Sequence, residues 1–156
     1  CMIPFYNATL PNSYIGWGKT THLGFGIPLM VGAKIAHPDK FCLNLMGDGA
    51  FGMSGLDLET SVRAELPITT VLLNNGAMST YEGTSLIGPV SKKVYGVSSM
   101  RGDYAKIAKG LGAEGIRVEK PNELVMALKN AQQLNKDGKT VLIDVISNVE
   151  SRRSKF

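Results

Sequence analysis

Four short apolar runs constrain what this chain can fold into: Phe41 to Met46, Ile68 to Leu73, the weaker Ala113 to Val118, and Val141 to Ile146. Each has the length of a strand and is bounded by turn residues. Strands that are apolar on both faces belong to parallel sheets with helices on either side. The intervening segments read as those helices. Thr20 to Ala36 is apolar and small, with Gly24, Gly26, Gly32 and Ala33 allowing close approach, so it is expected to be a buried helix ending near His37-Pro38. Ser54 with Asp57 three residues on forms a capping-box pattern. Leu56, Glu59, Val62, Arg63 and Leu66 then follow at helical spacing, and Pro67 stops the run. Asp103 is a candidate cap for a helix whose inner face is Tyr104, Ile107, Ala108 and Leu111, closed by Gly112. Pro121 and Asn122 open a last helix with Leu124, Leu128, Ala131 and Leu134 on one face, ended by Asp137-Gly138. Between the second strand and the Asp103 helix, positions 77–101 lack any period and are expected to form an irregular lid. The alternation of helix and strand predicts an α/β fold, a three-layer doubly wound parallel sheet, spanning residues 1–156 as one domain.

Composition narrows the function. With 44% hydrophobic and 19% charged residues, the chain has the apolar surface for a core and is not a charge-dominated disordered segment. No apolar run reaches the ~18 residues of a membrane span. Cys1-Met2-Ile3-Pro4 lacks the layout of a secretory signal. Three of the net +4 charges come from Arg152, Arg153 and Lys155 in the tail 151–156. The basic balance therefore describes a short solvated end, and no nucleic-acid partner or membrane surface is expected. Two cysteines, Cys1 and Cys42, make no disulfide framework. Cys42 lies within an apolar run and reads as a core residue of a reducing, cytoplasmic compartment. Asn7-Ala8-Thr9 fits a glycosylation sequon, but such triplets are common by chance.

In an open parallel sheet, ligands bind beyond the carboxyl ends of the strands. Two polar triplets fall there: Gly47-Asp48-Gly49 after the first strand and Asn74-Asn75-Gly76 after the second. A right-handed crossover returns the second strand end to the same edge, so Asp48 and Asn75 are expected to face each other. One carboxylate and one amide oxygen are the hard donors that Mg²⁺ takes when it is shared with a diphosphate. Gly49 and Ala50 carry almost no side chain, so their N–H groups can approach an anion closely. Either triplet alone reads as a turn; the pair, each behind a strand with a helix between, carries the binding reading. Gly18-Lys19-Thr20 is not a P-loop, because position 13 is Ser13 and no strand precedes it. Gly24, Gly26 and Gly32 lack the spacing of a dinucleotide fingerprint.

Gly47-Asp48-Gly49 through Asn74-Asn75 resembles the GDG…NN signature of thiamine diphosphate enzymes. Upstream, Gly16-Trp17-Gly18, Gly24-Phe25-Gly26-Ile27-Pro28 and Gly32-Ala33-Lys34 are similar to the acetolactate synthase and 2-oxo acid decarboxylase group. The likeness covers roughly positions 14–146 and identifies the C-terminal, pyrophosphate-binding domain with the thiamine diphosphate-binding fold. It implies that Asp48, Asn75 and the Ala77 carbonyl bind Mg²⁺, and that Gly47, Gly49 and Ala50 line the diphosphate. It implies further that Leu23 supports the bent cofactor, that the Thr21 carbonyl accepts from its amino group, and that Met78 to Glu82 lies over the thiazolium. Leu23 reads equally as a core leucine. His22, between Thr21 and Leu23, is a candidate acid–base group or a structural histidine at the loop–helix junction. Ala77-Met78-Ser79-Thr80-Tyr81 departs from acetolactate synthases, which carry a Gly-Met-Val-containing stretch ending in Trp.

In this family a Glu on a separate pyrimidine-binding domain activates the cofactor, and none of Glu59, Glu65, Glu82, Glu114 or Glu119 stands at a matching position. The chain is therefore expected to be N-terminally truncated relative to the family: a domain of a longer enzyme, or one subunit of a split one, within a homodimer or tetramer. Decarboxylation or carboligation of a small 2-oxo acid or acyl-CoA-type substrate is the implied activity. The alternative is a non-catalytic module that keeps the fold as a dimerisation or regulatory partner.

Overall fold

The computed structural model describes residues 6–16, 22–77, 93–95, 100 and 102–149. Four strands, β1 (Leu43–Gly47), β2 (Thr69–Asn74), β3 (Glu114–Val118) and β4 (Val141–Ile146), form one sheet in the order β1-β2-β4-β3, parallel throughout. The helices around the sheet are α1 (Gly26–Ala36), α2 (Asp48–Ser54), α3 (Asp57–Arg63), α4 (Tyr104–Gly110) and α5 (Leu124–Lys136), the last preceded by a 3-10 turn at Pro121–Glu123.

Because side chains alternate across a strand, the central strands feed two cores. On one face Leu72 and Leu142 pack with Ile27 of α1, Phe51 of α2, Leu58 of α3 and Ala108 of α4. On the other, Val71, Val141 and Ile143 pack with Val118 and with Ala127 and Ala131 of α5. The sheet is thus covered on both sides, in the three layers that the continuous apolar runs predict. All polar turns that follow strands lie at one edge.

The helices depart from the sequence reading in boundaries and in buried faces. The first helix begins at Gly26, not within the Thr20 region, because Leu23 to Phe25 is a turn in which Gly24 takes φ +88°. Nor is it buried all round: Ile27 and Lys34 are inside, whereas Ile35 is 65% exposed. A Cβ on Gly26 would collide with the Asn44 side chain, so glycine is what lets the helix start against β1.

The capping box at Ser54 and Asp57 does not form. The second helical region starts directly at Asp48 and breaks at Gly55, whose N–H reaches the Phe51 carbonyl at 2.6 Å. Ser54 donates its hydroxyl to the Gly24 carbonyl instead, and Leu56 is the uncapped start of α3. This break shifts the buried face: Leu58 and Ser61 point inward while Leu56 is 76% exposed. In α4 the Asp103 cap forms as expected, accepting from the Lys106 N–H at 3.0 Å. Its inner face is Tyr104, Ala105 and Ala108; Ile107 is 41% exposed, because Ala105 rather than Ile107 meets β3.

At the end of α3, Glu65 occupies the left-handed region (φ 54°) where helices usually place glycine. The Glu65 N–H donates to Val62 and the Leu66 N–H to Ser61, so the position closes the helix. Replacing Glu65 by Gly removes side-chain strain at the cost of unfolded-chain freedom. A net gain of up to about 1 kcal/mol is expected. Chemical denaturation checks it; a fall in stability would show that the Glu65 side chain contributes more than the strain costs.

Candidate functional site

β1 and β2 run side by side with Gly47 opposite Leu73, so the residues that follow them meet at the carboxyl edge. Asp48, first residue of α2, is only 2% exposed. One carboxylate oxygen accepts from the Gly49 N–H at 2.9 Å, and the other accepts from the Gly76 N–H at 2.8 Å. The second bond crosses between the two polar triplets, and Asp48 and the Asn75 turn therefore stand on one rim. Asn75 is half-buried, and its side-chain oxygen accepts from the Ala77 N–H at 3.0 Å. Gly76 takes φ +70° to turn the chain, and its carbonyl accepts from the Met100 N–H at 2.9 Å.

The other residues singled out by sequence are placed as follows. Leu23 is half-buried in the turn before α1. Gly24, next to it, lies against α2: a Cβ there would sit 3.1 Å from the Met53 Cβ and 3.4 Å from the Ala50 carbonyl. The Leu23 turn thus packs on α2 at Ala50, Met53 and Ser54. Among the described residues, an added Cβ on Gly47 would meet nothing within 4 Å. His22 is exposed and Ala77 is buried. Thr21, Met78, most of the 77–101 segment and the 151–156 tail lie outside the described residues.

Two residues that sequence reasoning passed over complete this edge. Asn74, the first of the paired asparagines, donates its side-chain amide to Asp144 at 2.9 Å and to the Gly102 carbonyl at 3.3 Å. Asp144 is fully buried in β4; its other oxygen accepts from the Tyr104 N–H at 3.2 Å, and an Arg117 guanidinium nitrogen stands 3.9 Å away. The signal was a single carboxylate inside the otherwise apolar run Val141 to Ile146. The Tyr104 ring packs edge-on to Phe51 at 5.4 Å. Burial, and then the negative charges of Asp48 and Asp144, push the Tyr104 phenol above its usual pKa.

A broad groove lies at the opposite end of the sheet, lined by residues such as Lys34, Phe41, Leu66, Gln132 and Lys136. It sits at the amino ends of the strands, away from the edge where parallel sheets place their ligands. Among the described residues no three His, Cys, Asp or Glu side chains gather as a metal cluster. No described helix is long and apolar enough to cross a membrane.

A doubly wound parallel sheet with its polar turns gathered at the carboxyl edge defines an α/β ligand-binding domain. Within that class, the chain belongs to the family described as "Thiamine pyrophosphate enzyme, C-terminal TPP binding domain", which it matches over residues 1–145. It is 30% identical to a sulfoacetaldehyde acetyltransferase of Alcaligenes xylosoxydans xylosoxydans, over 90% of this chain and 23% of that protein. It is 29% identical to the acetolactate synthase isozyme 3 large subunit of Escherichia coli, over 90% of this chain and 25% of that one. Among solved structures it resembles the Rhodococcus jostii RHA1 thiamine diphosphate-dependent 4-hydroxybenzoylformate decarboxylase, with a TM-score of 0.68 and 27% identity over 83% of this chain and 24% of that one. The chain thus spans about a quarter of the length of these relatives. The resemblance read from the two triplets is to the right family, whose members include transferases and decarboxylases.

Proposed function

We propose that this chain holds the diphosphate end of thiamine diphosphate through Mg²⁺ bound at the β1–β2 edge. Asp48, the Asn75 side-chain oxygen and the Ala77 carbonyl are the protein ligands. The observation that carries this reading is the bond from the Gly76 N–H to Asp48, which draws both triplets onto one rim. The donor set fits the ion. A carboxylate has about four lone-pair sites, and the two N–H donors on Asp48 leave room for a cation. Among the described residues no Lys, Arg or His pairs with this buried carboxylate, and Mg²⁺ would balance it. Three protein oxygens suit an ion that keeps water and phosphate as its remaining ligands. Among the described residues nothing crowds Gly47, and the small Gly49 and Ala50 leave a path for the diphosphate toward the first turn of α2, whose N–H groups have no partner within the helix.

Leu23, in the turn before α1, would support the bend of the cofactor. When bound, thiamine diphosphate supplies the carbon nucleophile and electron sink for breaking the bond beside a carbonyl. The chain's own share is to hold the cofactor by its charged end and to fix its orientation. A 2-oxo acid is the substrate class we infer, supported by the decarboxylase and acetolactate synthase relatives. Activity requires a pyrimidine-binding domain, in the same chain or a partner, in a dimeric or tetrameric cytoplasmic enzyme.

Calorimetric titration of the full-length protein with thiamine diphosphate, with and without Mg²⁺, tests the binding. Saturable binding only with the metal supports it, and binding indifferent to the metal refutes it. Decarboxylation of a 2-oxo acid after a pyrimidine-binding domain is supplied tests the reaction. Cofactor binding with no turnover in any such mixture would instead indicate a regulatory or dimerisation module.

A further inference from the structure

We propose that Asp144 is a positioning residue, holding Asn74 so that the Asn74-Asn75-Gly76 turn presents the Gly76 N–H to Asp48 and the Asn75 oxygen to the proposed metal. The proposal deepens the reading of that turn as the metal-bearing edge. Asp144 does more than fill β4. It is a fully buried carboxylate in a strand whose neighbours Leu142 and Ile143 are apolar, and burying such a group is costly unless its oxygens are used. Both are used, and on two different segments. One oxygen takes the Asn74 amide at the exit of β2, and the other takes the backbone N–H of Tyr104, where the chain re-enters α4.

The turn has further ties to the same re-entry point. Asn74 also donates to the Gly102 carbonyl, and the Gly76 carbonyl accepts from Met100. A Cβ on Gly102 would lie 2.8 Å from the Tyr104 ring, so any larger residue there would push the buried ring aside. Gly76, fixed in this way, aims its N–H at Asp48 at 2.8 Å. Asp144 is thus one hydrogen bond from Asn74, the chain neighbour of the proposed ligand Asn75, and among the described residues it makes no hydrogen bond to the proposed ligands themselves. Arg117, 3.9 Å away and already bonded to Glu119 at 2.7 Å, lies on the side away from the turn.

The test uses Asp144→Asn, which keeps the shape but leaves one acceptor for two donors, setting its NH₂ against either Asn74 or Tyr104. Two readouts are taken on the full-length protein. The first is amide hydrogen exchange of Gly76 without cofactor. The second is the Mg²⁺ concentration that half-saturates thiamine diphosphate binding. The proposal expects Gly76 exchange and the Mg²⁺ requirement each to rise about tenfold or more, while Val71 and Leu142 amides stay protected. Asn74→Ala removes the same link from a half-buried position and should reproduce both effects if Asp144→Asn does not fold. Arg117→Gln should change neither by more than about twofold. Folded variants with unaltered Gly76 exchange would overturn the proposal, as would exchange that rises equally at Val71 and Leu142. Should the unaltered protein bind no thiamine diphosphate, the metal reading fails, and the Gly76 contrast still decides the role of Asp144.

Discussion

Asp48→Ala is expected to abolish Mg²⁺-dependent thiamine diphosphate binding while leaving the sheet folded. The carboxylate is the one fully charged donor in the proposed site, and it is 2% exposed, so no neighbouring water shell can replace it. Losing a hard anionic ligand from a buried ion site should weaken binding at least about a hundredfold, roughly 2.7 kcal/mol. Folding should suffer far less. The substitution strands the N–H groups of Gly49 and Gly76, but it also removes a buried charge that lacks a cationic partner among the described residues. These two effects oppose each other. Calorimetry for the cofactor, together with thermal unfolding of the metal-free protein, separates loss of the site from loss of the fold. Undiminished cofactor binding in the folded variant would remove Asp48 from the site.

Gly115→Ala is expected to be the most damaging small substitution in the sheet. Gly115 lies in β3 beneath α4, and an added Cβ would fall onto the Ala105 carbonyl, with the Ala105 Cα only 2.9 Å away. These are backbone atoms, so no rotamer change relieves the overlap, and helix and strand must separate. Because α4 opens with Tyr104, whose N–H is held by Asp144, the separation would also disturb the Asn74 turn. A destabilisation of about 3 kcal/mol or more is expected, at the upper end for overpacking. Gly110→Ala, at the end of the same helix, meets nothing within 4 Å among the described residues and is the control. It should be neutral or slightly stabilising by helix propensity. Denaturant titration of the two variants checks both; equal stabilities would contradict this packing of α4 on β3.

Local sequence carried the strands because their signal is local. Val141 to Ile146 is β4 residue for residue, and the run from Ile68 to Leu73 is β2 displaced by one. Polar triplets behind two such runs were enough to bring Asp48 and the Asn75 turn to one edge, since parallel pairing and a right-handed crossover allow little else. What escaped depends on partners distant in the chain. Ser54 reads as a cap, yet its hydroxyl bonds Gly24, thirty residues back. The helix expected from Thr20 begins only at Gly26, because the Gly24 turn packs on α2 and glycine alone tolerates that conformation. Asn74 looked like a turn residue, and its role depends on Asp144, seventy positions later. Such pairings have no period and no spacing rule, and only the folded sheet brings them together.

The most direct measurement is anomalous diffraction from crystals of the full-length protein grown with thiamine diphosphate and Mn²⁺ in place of Mg²⁺. A single anomalous peak within about 2.3 Å of an Asp48 carboxylate oxygen and of the Asn75 side-chain oxygen, bridging to the diphosphate, is the result expected here. A peak held by other residues, or diphosphate bound with neither side chain in reach, would contradict it.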